Sequence, residues 1–233
     1  MTSPKSLFLY EEIMLLALRN RQGTTTIDYV EYAVAGAVLA ELLLDRRITI
    51  SDKRKHLVDI QNTNPIDDPI IDECMERMKA AKKRASLQTW VSRLATIKRL
   101  RHKVAQQLCN RGVLRADEDK VLHIFTRKIY PEVNPVPEEK IMERLRTAIF
   151  RDSDDIEPRT VVLISLASAA NLLSENLGRK EAKDRKKRIE QIVNGEMTGN
   201  ATKEAIAACQ AAVMVAVILP AVIVPAVIAG NSN

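Results

Sequence analysis

The side chains of this sequence best suited to chemistry are its cations. Lys and Arg number 36 against 30 Asp and Glu, a formal net charge of +6. The excess gathers in three clusters, Lys79–Arg84, Lys98–Lys103 and Arg179–Arg188. Such an excess suits phosphate-bearing partners: lipid headgroups, nucleic acid or phosphorylated protein. By itself it chooses none of them. Glu181 and Asp184 interrupt the last cluster, which reads as a solvated face. Lys98–Lys103 is the cluster from which a function is expected.

Other chemistries lack their residues. There is no P-loop, GxGxxG, HExxH or GxSxG pattern, so no enzyme is expected. His56, His102 and His123 show no metal-ligand spacing, and neither a metal nor a cofactor is expected. Asp67/Asp68 and Asp154/Asp155 read as turn and helix-start residues rather than acid–base pairs. Cys74, Cys109 and Cys209 are odd in number and far apart, which argues for free thiols in a reducing compartment. Aromatics are only 3% of the chain, too few for an RNA-stacking surface.

The elements that must carry these cations are organised around Asp28–Ile60. DYVEYAVAGAVLAELLL (Asp28–Leu44) is apolar on nearly every face and too short to span a bilayer, so it predicts a buried core helix. Ile48–Ile50 and Leu57–Ile60, around the polar Ser51–His56, predict a hairpin hung from its end. A second helix–hairpin unit follows, with a basic helix over Thr96–Arg111 and Val121–Phe125 read as strand. Amphipathic helices are predicted over Tyr10–Asn20, Ile70–Ala85 and Lys180–Val193, and one from Pro137 to near Phe150. Two more greasy helices are predicted over Arg159–Asn176 and Ala201–Val217. The fold class is therefore mainly α: one globular domain over 1–217, with central apolar helices ringed by amphipathic ones and short β-hairpins. Residues 218–233 are left as an apolar C-terminal extension. Ala211–Ala229 carries no charge, and its alternatives are a tail, a dimer contact or a membrane anchor. No signal peptide is read at the start of the chain.

The order of these pieces resembles the Golgi phosphoprotein 3 family. The resemblance rests on LYEEIMLLAL (Leu9–Leu18), LAELLLDRRITI (Leu39–Ile50), NPIDDPIIDE (Asn64–Glu73), QTWVSRL (Gln88–Leu94), QLCNRGVL (Gln107–Leu114) and VVLISLASAANLL (Val161–Leu173). It implies a helical, cytoplasmic, peripheral membrane protein that binds phosphatidylinositol 4-phosphate-like headgroups and works in membrane trafficking, on Golgi-type membranes where the cell has them. Two basic positions of the family's headgroup pocket fall on Lys98 and Arg101, one helical turn apart. Its tryptophan and central-helix arginine fall on Thr26 and Ala35, which are departures. The family's second hairpin, which inserts in membranes and self-associates, corresponds to about 117–128, with Val121, Leu122, Ile124 and Phe125 as its apolar residues. That makes a homo-oligomer a second expected partnership. The implied partners are thus anionic phosphoinositide lipids and other copies of the chain. Two readings stand beside it: a winged-helix-like DNA-binding regulator with Arg46 and Arg47 on the wing, and a scaffold without lipid affinity. Nucleic acid is disfavoured because the helix before the hairpin lacks a polar face to read bases.

Overall fold

The first helix is buried on every side. In the computed structural model, which describes residues 6–19, 22–27, 30–52, 57–121, 125–151 and 156–195, α1 (Leu9–Ala17) has all nine residues inside, Glu11 and Glu12 included. Its periodicity predicts an amphipathic helix over Tyr10–Asn20. Its two acids are buried as well, and are met by arginines from far along the chain, Arg111 on Glu11 and Arg144 on Glu12 (2.8 Å). The helix also ends earlier, because Leu18–Arg19 (β1) pairs antiparallel with Thr24–Thr25 (β2).

Around α1 pack α2 (Val30–Leu44) and α7 (Pro158–Ala169), the greasy helices anticipated from their composition. One buried ion pair joins all three. Arg159 donates to Glu41 at 2.5 and 3.1 Å and to the Leu7 carbonyl at 2.8 Å, while Glu41 also accepts the Leu9 N–H at 2.6 Å. The greasy run does not continue to Asn176 as one helix. Asn171 turns left-handed (φ 58°) and α8 (Leu172–Leu177) starts afresh.

Amphipathic or charged helices form the outer layer: α3 (Pro69–Lys79), α4 (Leu87–Ala95), α5 (Leu100–Asn110), α6 (Val136–Phe150), α9 (Arg179–Asp184) and α10 (Lys186–Val193). Asp68 caps α3 by accepting the Ile70 and Ile71 N–H groups, and α3 then runs acidic to basic as the helix dipole prefers. It stops at Lys79, six residues short of the expected end, which leaves Lys82–Arg84 outside any helix. The predicted helix over Lys180–Val193 is two, broken at Arg185. Two hairpins hang from helices as expected. One joins β3 (Ile48–Asp52) to β4 (Leu57–Ile60); the other joins β5 (Asp117–Val121) to β6 (Phe125–Ile129). In the second, Val121 pairs with Phe125, so Val121–Phe125 is not a continuous strand; the chain reverses within it. The expected helix over 201–217 and the apolar 211–229 tail lie outside the described residues. Among those residues, no helix is long and apolar enough to cross a membrane. The result is a mainly α domain with one continuous aliphatic core.

Removing one partner of a buried ion pair strands the other, at about 3–5 kcal/mol. Arg159→Met is therefore expected to destabilise the fold by about that much in urea unfolding, whereas Arg146→Met, in an exposed pair with Glu181, should cost no more than about 1 kcal/mol.

Candidate functional site

The turn between α4 and α5 sets the site. The Ile97 N–H returns to the Leu94 carbonyl (3.0 Å), Ile97 is buried, and Arg99 is left-handed (φ 59°) before the helix begins at Leu100. The expected helix from Thr96 thus starts four residues late. Lys98 is exposed in the turn, and Arg101 is half-buried in the first turn of α5. They are not successive positions on one helix face, because Arg99 breaks the helical path between them.

Three contacts lock the rest of α5 in place. Arg111 reaches the buried Glu11. Gln107 donates to the Tyr10 hydroxyl (2.6 Å) and to Asp68 (2.7 Å), and Tyr10 donates to Asp68 at 2.7 Å. Lys103 pairs with Glu73. Burial pushes the pKa of Glu11 and of Tyr10 above their ordinary values, while the Phe8 N–H and Arg111 pull Glu11 back toward the carboxylate.

So anchored, the N-terminal end of α5 opens on a cleft of about 480 Å³. Arg99, Arg101 and His102 form one wall, and Thr126, Arg127, Lys128 and Tyr130 form another. Gly23, Thr24 and Thr25 close a third side over Met14 and Leu18. The walls are stitched together at Gly23. Its carbonyl accepts the Tyr130 N–H (2.9 Å), its φ is +62°, and a Cβ there would fall 2.4 Å from the Tyr130 backbone. His102 Nδ1 lies 3.0 Å from the Tyr130 hydroxyl.

The electrostatics run against the helix. A helix N-terminus carries partial positive charge and favours acids. Here the first turn of α5 has no acid and no side-chain cap, and instead presents Arg99, Arg101 and His102. Arg127 is matched by Asp119 at 2.7 Å. Among the described residues, no carboxylate lies within ion-pair distance of Arg99, Arg101 or Lys128. Cations with no ion-pair partner among the described residues, gathered at a helix N-terminus, make an anion site, which Thr24 and Thr25 also line.

The sequence expectations divide accordingly. Arg101 lines the cleft, while Lys98 is not among its described lining residues. Arg99 and His102 belong to the cluster that attracted attention, but Lys128, Tyr130 and the threonines gave no signal. Their role depends on the hairpin folding back toward α5. Thr26 is half-buried, with its Oγ1 donating to the Ala17 carbonyl (3.2 Å), and Ala35 is fully buried; neither lines the cleft. Leu122 and Ile124 lie outside the described residues, as do the side chains of Val121 and Phe125. The wing of the DNA-binding reading has Arg47 turned to the Asn64 carbonyl (2.5 Å), behind a helix whose faces are almost all buried.

A family model described as Golgi phosphoprotein 3 (GPP34) matches residues 9–209. Vacuolar protein sorting-associated protein 74 of Eremothecium gossypii is 23% identical over 210 residues, covering 76% of this chain and 63% of that protein. The chain thus spans somewhat less than two thirds of that relative's length.

If the α5 terminus trades stability for charge, Arg99→Gly should raise thermal stability. It removes a left-handed non-glycine residue and a cation from the positive helix end, together worth about 1 kcal/mol. Gly23→Ala should do the reverse and lower the melting temperature, because its Cβ meets backbone.

Proposed function

This chain belongs to the Golgi phosphoprotein 3 family, and from that premise we propose that it is a peripheral membrane protein whose cleft at the start of α5 holds an anionic, phosphoinositide-type lipid headgroup. The observation that carries the reading is the set of cations with no ion-pair partner among the described residues, Arg99, Arg101 and Lys128, at a helix N-terminus with no acid in its first turn. A phosphomonoester offers the charge this arrangement lacks, and its oxygens can accept from guanidinium and backbone N–H groups together. Arg101 is the central contact, since it is half-buried and lines the cleft. Lys98, exposed in the preceding turn, adds long-range attraction rather than a fixed contact. With alanine and threonine at the family's arginine and tryptophan positions, the charge comes instead from Arg99 and from Lys128 on the hairpin.

The hairpin of residues 117–128 serves as the second contact. Its strand β6 forms a wall of the cleft, and Val121, Leu122, Ile124 and Phe125 are the apolar residues of its sequence. Those apolar residues suit either the bilayer beside a bound headgroup or another copy of the chain. The relative's name, which refers to vacuolar protein sorting, supports a role in membrane trafficking, and the family's description supports Golgi-type membranes, with the cytoplasmic face as our reading. Residues 1–217 are read as the lipid-binding body and 218–233 as a separate extension.

Vesicle flotation tests this. Each basic residue near an anionic surface contributes roughly 1 kcal/mol, so Arg99→Glu with Arg101→Glu should weaken binding to phosphoinositide vesicles by at least about tenfold. Lys98→Glu alone should cost less, and salt should weaken the wild type. A version ending at Val217 should still float. Binding indifferent to the double substitution but lost on truncation would assign it to the tail and discard the cleft.

A further inference from the structure

We infer that His102 is a proton-linked ligand of the anion held in the cleft, so that binding takes up a proton on its ring and affinity rises as pH falls. The inference rests on the cleft reading above and adds the regulation of that site. Four observations support it.

His102 lines the cleft beside Arg101, in the first turn of α5. Its Nδ1 is engaged by the Tyr130 hydroxyl at 3.0 Å, and among the described residues no hydrogen bond is made to Nε2, the ring nitrogen that would meet a ligand. A hydroxyl can donate to a neutral ring or accept from a protonated one, so Tyr130 accommodates both states without moving. Tyr130 is itself buried and pinned to Gly23 through its N–H.

The surroundings disfavour the charged form of the ring. Burial comes first, then Arg101 and Arg99 from its own segment and Lys128 from β6, and together they push its pKa below the ordinary imidazole value. Glu31 on α2 is the acid that opposes them. Arg127, in the same wall, is matched by Asp119. The remaining described walls, Met14, Leu18, Gly23, Thr24 and Thr25, carry no ionisable group. A phosphate placed among these cations reverses the local sign and favours the imidazolium. The pKa therefore lies lower in the free protein and higher in the complex. Between the two values affinity climbs as pH falls, by at most about tenfold per pH unit for one proton. For the empty protein the sign is opposite: a lowered folded-state pKa gives stability that is full above the unfolded value and is lost as pH falls through the folded one.

The test is flotation of the full chain with phosphatidylcholine vesicles carrying a phosphatidylinositol monophosphate, between about pH 7.5 and about pH 6.0, the range histidine titrates. Wild type is compared with His102→Gln at each pH, which cancels the titration of the headgroup itself. The ratio of their affinities should rise about five- to tenfold toward the acidic end. A flat ratio, with binding still abolished by Arg101→Glu, overturns the proton linkage and leaves the cleft reading intact. Binding that neither substitution affects at any pH overturns both. Should His102→Gln fail to fold, the His102 ring-proton NMR titration of the wild type decides: its midpoint should move up when inositol monophosphate is added, and an unmoved midpoint overturns the inference. An upward shift without vesicle binding would support the linkage and make the ligand a free phosphomonoester.

Discussion

Three of the carboxylates buried in a largely aliphatic core are each met by an arginine from much later in the chain. Glu11 meets Arg111, Glu12 meets Arg144 and Glu41 meets Arg159. Buried charge is tolerated only when paired, so these contacts admit one arrangement of α1, α2, α5, α6 and α7 and penalise the alternatives. Pairing of this kind contributes less to net stability than to uniqueness. An all-aliphatic interior of Leu, Ile, Val and Ala has many near-equivalent packings, and the ion pairs choose among them. The Tyr10–Asp68–Gln107 hydrogen bonds extend the same choice to α3.

The site inherits its geometry from that constraint. Once Arg111 and Gln107 hold the far end of α5, the position of its first turn follows, and with it Arg99, Arg101 and His102. The opposite wall is placed independently. The β5–β6 hairpin is tied to the β1–β2 loop through the Gly23–Tyr130 contact, where only a residue without a Cβ fits. The cleft is therefore a junction of two separately anchored parts.

Two helix N-termini show how local rules and function part company. α3 obeys the rules: an aspartate cap, an acidic first turn and basic residues at the end. α5 breaks them, with a left-handed arginine as its cap and no acid in its first turn. The two starts differ in the residues themselves, Asp68 and Asp72 in one against Arg99, Arg101 and His102 in the other. A folding unit selected for stability alone would resemble α3.

The sequence by itself determined the layered α architecture, because α2 and α7 are apolar on too many faces to be anywhere but inside. It determined that each of two helices leads into a hairpin, and it marked the Lys98–Lys103 cluster. It misjudged α1, since a glutamate inside a core is indistinguishable from one in water until its arginine, a hundred residues away, is in place. It misjudged the start of α5, since a left-handed arginine has no signature in residue type. Tertiary structure alone decided which cations share a space. Lys128 and Tyr130 are some thirty residues from Arg101, and charges become a site through proximity in three dimensions, where Coulomb energy depends on separation and on the water between them, neither of which is written along the chain.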